Sequence, residues 1–292
     1  MGWFITRLRW ITETISGESP LGLRLGGGLI TVLLVGVSVS AGMAIEQLSC
    51  HQLWLWPLLI IGLASALAGR SLRLAVEQVM EPLSADPPDL PRARQRLAWI
   101  VGRDVEGLPQ QELLRAAAET ASENGVDGLF APLFWMLVGA MLWQVDPALP
   151  GPLALAWGFK AGSTLDSMLG YRRGRLRWLG TAGARLDDAL TWLPCRLVAL
   201  TLGQLGSSLR DGASDPSPNA GVSQAAYAHA VGVQLGGINH YNGQKKSKPV
   251  LNQQAKKVTA KSVNQMLGLS RRMALQWLGW SGAGLAVMTS IQ

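Results

Sequence analysis

The sequence predicts an all-α fold: a polytopic helical membrane protein with cytoplasmic helical loops and re-entrant or interfacial segments. Only 15% of its 292 residues are charged, whereas 48% are hydrophobic, and ordinary soluble domains carry roughly 25% charge. Its uncharged runs are close in length to the roughly 20 residues that cross a bilayer, and they alternate with polar segments. We therefore expect a single integral-membrane domain over residues 1–292.

The uncharged runs set the expected crossings of the membrane. The first lies between Arg24 and Glu46, and Trp54 and Trp56 are typical of a membrane interface near the start of the second. Two further runs are short or interrupted by proline, which favours partial spans. The predicted spans are 25–45, 47–69, 128–145 and 273–291, with candidate partial spans at 147–159 and 189–209.

The basic residues lie between the apolar runs. The net charge is +7, and its distribution fits the positive-inside bias of membrane proteins. We expect an inner-membrane, multi-pass protein with basic loops facing the cytoplasm and no nucleic-acid partner. Cys50 and Cys195 are too few for a disulfide framework, and the three histidines are scattered, which argues against a zinc site.

Two polar patches border apolar runs, where ionisable groups are costly unless they are paired, water-facing or functional. In the first patch, 119–128, Glu119, Glu123 and Asp127 recur every four residues along one helical face. The second patch covers 160–196. A solvated helix face explains the first spacing as well as a cation or substrate site does. We expect the two patches to form one cytoplasm-facing active site, although spacing alone also fits a transporter or a scaffold.

Eight short words follow one another in a fixed order. They are L-A-G-R-S-L (67–72), I-V-G-R-D (100–104), S-E-N-G-V-D-G-L-F-A-P-L-F (122–134), K-A-G-S-T-L-D-S-M-L-G-Y (160–171), G-A-R-L-D-D (183–188), L-P-C-R-L (193–197), S-P-N-A-G (217–221) and G-V-Q-L-G-G (232–237). Together they resemble the CobD/CbiB family of cobalamin biosynthesis, adenosylcobinamide-phosphate synthase. The resemblance runs from about Met1 to the last span.

The resemblance implies an integral membrane enzyme, an ATP-dependent acid–amine ligase. The implied reaction joins adenosylcobyric acid to (R)-1-amino-2-propanol O-phosphate and gives adenosylcobinamide phosphate. It requires ATP and Mg²⁺, although the sequence carries no standard nucleotide motif. The implied partners are the corrinoid, the amino-alcohol phosphate and the lipid bilayer, with other membrane proteins of cobalamin assembly as candidates.

The resemblance also implies the site residues, and the chemistry suits them. Mg²⁺ takes carboxylates and phosphate oxygens, phosphates bind Arg or Lys, and an attacking amine needs a base. The candidate catalytic residues are Glu123, Asp127, Asp166, Asp187 and Asp188. The candidate substrate- and phosphate-binding residues are Lys160, Thr164, Ser167, Tyr171, Arg172, Arg185, Arg196, Ser217 and Asn219. The Mg²⁺ candidates are Glu119, Glu123 and Asp127, and the role of each carboxylate stays open.

Four positions depart from the usual words of the family: Gly125, Ser163, Asp215 and Gln224 replace a threonine, an asparagine, a histidine and an acidic residue. They leave an alternative open, a non-catalytic membrane regulator or scaffold of the same superfamily. The family's G-D-P and H-P-V words would precede the M-G-W-F-I at which this chain begins, and a misassigned start codon would explain that difference.

Overall fold

The computed structural model describes residues 1–171 and 173–291, and for 284–291 it describes the backbone alone. The α-helices are α1 Gly2–Ser16, α2 Pro20–His51, α3 Trp56–Ala66, α4 Gly69–Leu83, α5 Leu90–Ala98, α6 Gln110–Gly125, α7 Ala131–Val145, α8 Pro152–Leu169, α9 Leu176–Leu179, α10 Thr181–Thr201, α11 Leu205–Gly212, α12 Ala220–Val231 and α13 Ala260–Ile291. Strands β1 Leu235–Tyr241 and β2 Gln244–Leu251 form an antiparallel hairpin, which the sequence analysis did not predict.

The long apolar helices confirm the predicted class, an all-α membrane protein. Within the described residues, Pro20–His51 and Gln110–Val145 are long and apolar enough to cross a membrane. A third crossing is available if Leu53–Ala66 and Gly69–Leu83, which are bent by 42° at their break, form one broken span. The predicted spans 25–45 and 128–145 fall inside the first two.

The other predicted spans have different helical bounds in the structure. The range 47–69 is divided, because α2 continues to His51 and a 3₁₀ turn separates it from α3. The range 147–159 covers only the beginning of α8, and 189–209 is divided between α10 and α11 at Gly203, which has a φ of 69°. The range 273–291 lies in α13, whose side chains are described only as far as residue 283.

Packing divides the chain into two compact units. The first contains residues 1–67, 131–191 and 281–292, and the second contains 68–130 and 192–280. The single domain over residues 1–292 stays a prediction.

In the first unit, α2 packs closely against α8 and α9 through glycines. A Cβ on Gly42 would lie 2.5 Å from the Cα of Ala154, and a Cβ on Gly27 would lie 1.9 Å from the carbonyl oxygen of Leu179. Small residues allow helix backbones in a membrane to approach in this way. The contact holds α8, which carries much of the second polar patch, against the long apolar helix.

A buried carboxylate fixes the beginning of α8. Glu46 on α2 is 1% exposed and accepts backbone N–H groups from Gly151 at 3.1 Å, Leu153 at 2.5 Å and Ala154 at 3.2 Å. The first N–H groups of a helix have no intrahelical acceptor, so a carboxylate placed there stabilises the helix end. Helix α8 therefore begins at Pro152.

In the second unit, α6 lies at the centre. Its Ala116, Ala117 and Ala118 are fully buried, and their small side chains let α4, α5, α12 and β1 pack against it. Pro109 stands directly before its first turn. The Tyr227 hydroxyl on α12 lies 2.6 Å from the Ser270 hydroxyl on α13, and both side chains are buried.

Candidate functional site

In the first unit, the K-A-G-S-T-L-D-S word and the G-A-R-L-D-D word lie on two packed helices. A Cβ on Gly183 of α10 would lie 3.0 Å from the Cβ of Leu165 on α8. This close approach brings Asp187 of α10 within hydrogen-bonding or electrostatic range of Lys160, Ser163 and Asp166 on α8. The structure thus brings these predicted site residues together.

The surroundings of Asp187 shift its pKa strongly. Burial raises its pKa, the charges of Asp166 and Asp188 raise it further, and the result is about 7. A hydrogen bond from Ser163 and the charge of Lys160 act in the opposite direction. Its Oδ1 atom is buried and has no hydrogen-bond partner in the described part of the chain. A carboxyl with a pKa near neutrality can exchange a proton at working pH.

Beside this cluster is a cleft of about 340 Å³, lined in part by Tyr171, Arg185 and Asp188. The guanidinium of Arg173 lies 5.1 Å from the ring centre of Tyr171. Arg172, also predicted as a binding residue, lies outside the described residues. The cleft therefore has a cation, a carboxylate and an aromatic ring along its wall.

Thr164 and Ser167 have local hydrogen bonds. The Thr164 hydroxyl donates to the Lys160 carbonyl at 2.6 Å, and the Ser167 hydroxyl donates to the Ser163 carbonyl at 2.9 Å. A hydroxyl that donates to the carbonyl four residues earlier has its hydrogen-bond acceptor within its own helix. Their predicted part in substrate binding stays a prediction.

In the second unit, Glu119 is held by two arginines. Its carboxylate is 1% exposed and pairs with Arg103 and, at 2.7 Å, with Arg115. The Gly236 backbone N–H also donates to it, at 2.9 Å. The four-residue spacing suggested a row of like charges, but the opposite charge of Arg115, one turn earlier on α6, pairs with Glu119 instead.

Asp127 lies in a π-helical segment, Val126–Phe130, rather than in regular α-helix. Pro132 has no N–H to donate to the carbonyl of Gly128, and that carbonyl instead accepts the Ala68 N–H at 2.6 Å. The wider turn shifts Asp127 relative to the α-helical row that the spacing predicted.

The S-P-N word holds Arg196 in place. The guanidinium of Arg196 donates to the Asn219 side-chain oxygen at 2.7 Å and to the Pro218 carbonyl at 2.8 Å. The Ser217 hydroxyl accepts the backbone N–H of Asn219 at 3.3 Å and of Ala220 at 3.2 Å. Ser217 thus caps α12, and Asn219 orients the arginine.

Two side chains near Glu123, Gln224 and Lys248, were not predicted as site residues. Gln224 donates to the Glu123 carboxylate at 2.6 Å, and Lys248 of β2 lies 3.8 Å from Asp215. Gln224 differs from the acidic residue usual in the family, and no signal in K-K-S-K distinguishes Lys248 from its neighbours.

The described residues contain no group of three or more His, Cys, Asp or Glu side chains arranged to hold a metal ion, so Mg²⁺ binding stays a prediction. One shared site for the two patches also stays a prediction.

Comparisons with known proteins agree with the ordered words. A family model described as CobD/Cbib protein matches residues 1–270. The cobalamin biosynthesis protein CobD of Synechocystis is 47% identical over 80% of this chain and 68% of its own length. The cobalamin biosynthesis protein CbiB of Salmonella typhi is 36% identical over 88% and 78%, and CobD of Citrobacter koseri is 34% identical over 98% and 90%. No solved structure matches the chain.

Proposed function

The chain belongs to the CobD/CbiB family of cobalamin biosynthesis proteins, and from this premise we propose that it is an ATP-dependent acid–amine ligase. The substrates are adenosylcobyric acid, ATP and (R)-1-amino-2-propanol O-phosphate. A carboxylate oxygen of the corrinoid attacks the γ-phosphorus of ATP, and ADP leaves. The amine nitrogen then attacks the acyl carbon, the bond to phosphate breaks, and the products are adenosylcobinamide phosphate and inorganic phosphate.

The observation that carries the proposal is the carboxyl of Asp187. The attacking ammonium must lose a proton, and a general base works best when its pKa is near the working pH. Burial and the charges of Asp166 and Asp188 raise the pKa of Asp187 to about 7. In this proposal Asp187 accepts that proton, and Lys160 attracts the anionic groups that react.

The second unit offers groups for the nucleotide. Glu123 and Asp127 are oxygen donors of the kind Mg²⁺ takes together with phosphate oxygens, and when bound the ion would neutralise phosphate charge. The two oxygens of Glu119 are already paired with arginines, so in this proposal Glu119 supports the fold. Arg196, oriented by Asn219, is a fixed cation for a phosphate. The basic loops would face the cytoplasm of the inner membrane, where ATP is available.

Complementation tests the proposal. In a strain that lacks the synthase, the wild-type chain should restore growth on cobyric acid. Asp166→Asn should abolish that growth while membrane expression stays normal, because it removes a charge beside Asp187. The matched control is Asp146→Asn, an exposed carboxylate of the same unit, which should support growth. Full growth with Asp166→Asn would remove Asp166 from the site.

The alternative is a membrane regulator or scaffold without catalysis. Gln224 and Asp215 favour it, because the family usually has an acidic residue and a histidine there. It predicts that the wild-type chain, with or without an upstream extension, supports no growth in the same strain.

A further inference from the structure

The β-hairpin is fastened to α6 by buried charge. Arg115 donates to the carbonyls of Gly236 at 2.8 Å and Ile238 at 2.9 Å, and to the side-chain oxygen of Asn239 at 3.0 Å. Arg103 donates to the same Asn239 oxygen at 2.7 Å. Because Asn239 is 2% exposed, these contacts fix the position of β1 relative to the helix.

Asp104 fastens the turn of the hairpin. Its two carboxylate oxygens accept the backbone N–H groups of Asn242 at 3.0 Å and Gly243 at 2.8 Å. Its own N–H donates to the His240 carbonyl at 2.8 Å. The I-V-G-R-D word therefore serves to hold this hairpin, and with it strand β2, in a defined place.

Strand β2 places Lys248 near the carboxylates of Asp215 and Glu123. Its side chain is 15% exposed, and its Nζ lies 3.8 Å from the carboxylate of Asp215, whose side chain is 3% exposed. Burial lowers the pKa of Lys248, but the charges of Glu123 and Asp215 outweigh burial and raise it above its ordinary value. Lys248 is therefore a fixed cation at neutral pH, whereas Lys245 and Lys246 of the same strand are exposed.

The surroundings of this cation have unfilled hydrogen-bonding capacity. Gln224 is 1% exposed, and its Oε1 has no hydrogen-bond partner among residues 1–171 and 173–291. The Nε of Arg196 is likewise buried without a partner over the same residues. A buried polar atom left unpaired is costly, and such atoms often await a bound group.

One short loop, residues 215–219, contacts both Lys248 and Arg196. At one end Asp215 contacts Lys248, and at the other end Asn219 accepts from Arg196 at 2.7 Å. Two cations next to unpaired donor and acceptor atoms suit a phosphate group. The phosphate oxygens accept from the cations, and the water that accompanies a bound phosphate can donate.

We propose that Lys248 and Arg196 bind a phosphate group of one of the phosphorylated substrates, with Gln224 accepting a hydrogen bond from that substrate or its water. The inference rests on the proposed function for the identity of the substrate. Two sources share this chemistry, the nucleotide and the amino-alcohol phosphate. Glu123 beside Gln224 favours the nucleotide, since its phosphates are bound together with a metal ion.

Direct binding tests the inference without requiring turnover. Purified full-length protein in nanodiscs is titrated by calorimetry with Mg·ATP and, separately, with (R)-1-amino-2-propanol O-phosphate. We expect Lys248→Ala to weaken one of the two by about 10- to 100-fold, as expected for loss of a charge-assisted hydrogen bond. Lys245→Ala, on the exposed part of the same strand, should bind both ligands as the wild type does.

Two further variants separate phosphate binding from a purely structural ion pair. Asp215→Asn frees Lys248 from its carboxylate, so it should keep or tighten phosphate binding. The double variant Lys248→Ala/Asp215→Asn does not leave the Asp215 carboxylate charged without its cation, so it should fold even if Lys248→Ala does not, but it should still lose affinity. Wild-type affinity in this double variant, or a wild type that binds neither phosphorylated compound, would overturn the inference. Binding by the wild type without amide formation would refute the proposed function and leave the inference standing.

Discussion

Replacing Asp187 by asparagine should remove a pH dependence of stability that comes from this carboxyl. Burial and the neighbouring Asp166 and Asp188 raise its pKa to about 7 from an ordinary 3.8. Because the folded protein binds this proton more tightly than the unfolded chain, the stabilisation is complete below a pH of about 4 and is lost as the pH rises to about 7. Above that pH the wild-type protein holds an ionised, partly buried carboxylate.

The size of the effect follows from the two pKa values. They differ by about 3 pH units, and each unit corresponds to about 1.4 kcal/mol, which gives an upper bound of about 4 kcal/mol. Some water reaches the side chain of Asp187, and solvent screening reduces such interactions, so we expect about 2 kcal/mol.

The assay compares free energies of unfolding in one detergent at pH 5 and pH 8. These conditions span about two of those three pH units, so the wild type should lose about 1.3 kcal/mol between them relative to Asp187→Asn. Asp146→Asn, an exposed carboxylate of the same unit, should follow the wild type. Identical pH dependence in the wild type and in Asp187→Asn would refute the argument. With Asp187 as the proposed base, the rate of amide formation should rise with pH through about 7.

Two further predictions concern a buried ion pair and helix packing. Arg103→Ala leaves Arg115 as the one remaining ion-pair partner of buried Glu119 among the residues that the structure describes. The free energy of unfolding should therefore fall by about 2 kcal/mol, less than the roughly 3–5 kcal/mol for a buried charge that loses its sole partner. An unchanged free energy of unfolding in denaturant titration would contradict this. Gly42→Ala should lower stability by about 1–3 kcal/mol, because its Cβ would lie 2.5 Å from another helix. Gly36→Ala on the same helix has nothing within 4 Å, and equal thermal shifts for both variants would contradict the packing.

The fold class was predictable because lipid imposes a strong pattern on the sequence. A run such as 25–45 has to be helical, since backbone groups in hydrocarbon must bond within their own segment. The exact ends were not predictable from charge alone. Helix α2 continues beyond Glu46 because that carboxylate is not a solvated boundary but a buried cap on α8.

The hairpin was missed although one signal was present. Asn242 and Gly243 both have positive φ, 52° and 77°, and Asn-Gly is the strongest short-range hairpin signal. The strands themselves lack a clear alternation of apolar and polar residues. Their stability comes from Arg103 and Arg115, more than 100 positions away along the chain, and no local pattern reports such contacts.

The candidate site was predictable in one unit and less so in the other. The ordered words selected Lys160, Asp166 and Asp187, which the structure brings together, although their catalytic roles stay predictions. In the second unit, Asp127 lies in a π segment that regular helical spacing did not predict. Lys248 could not be selected, since its burial depends entirely on how the hairpin is fastened.

The most direct test of the account is reconstitution of the reaction. Purified protein in nanodiscs receives adenosylcobyric acid, (R)-1-amino-2-propanol O-phosphate and Mg·ATP, and the corrinoid products are identified by mass spectrometry. We expect adenosylcobinamide phosphate and ADP in equal amounts. Without the corrinoid neither should form, and without the amine there should be no amide and at most one equivalent of ADP per enzyme. Well-folded wild-type protein that forms no amide with all substrates present would contradict it.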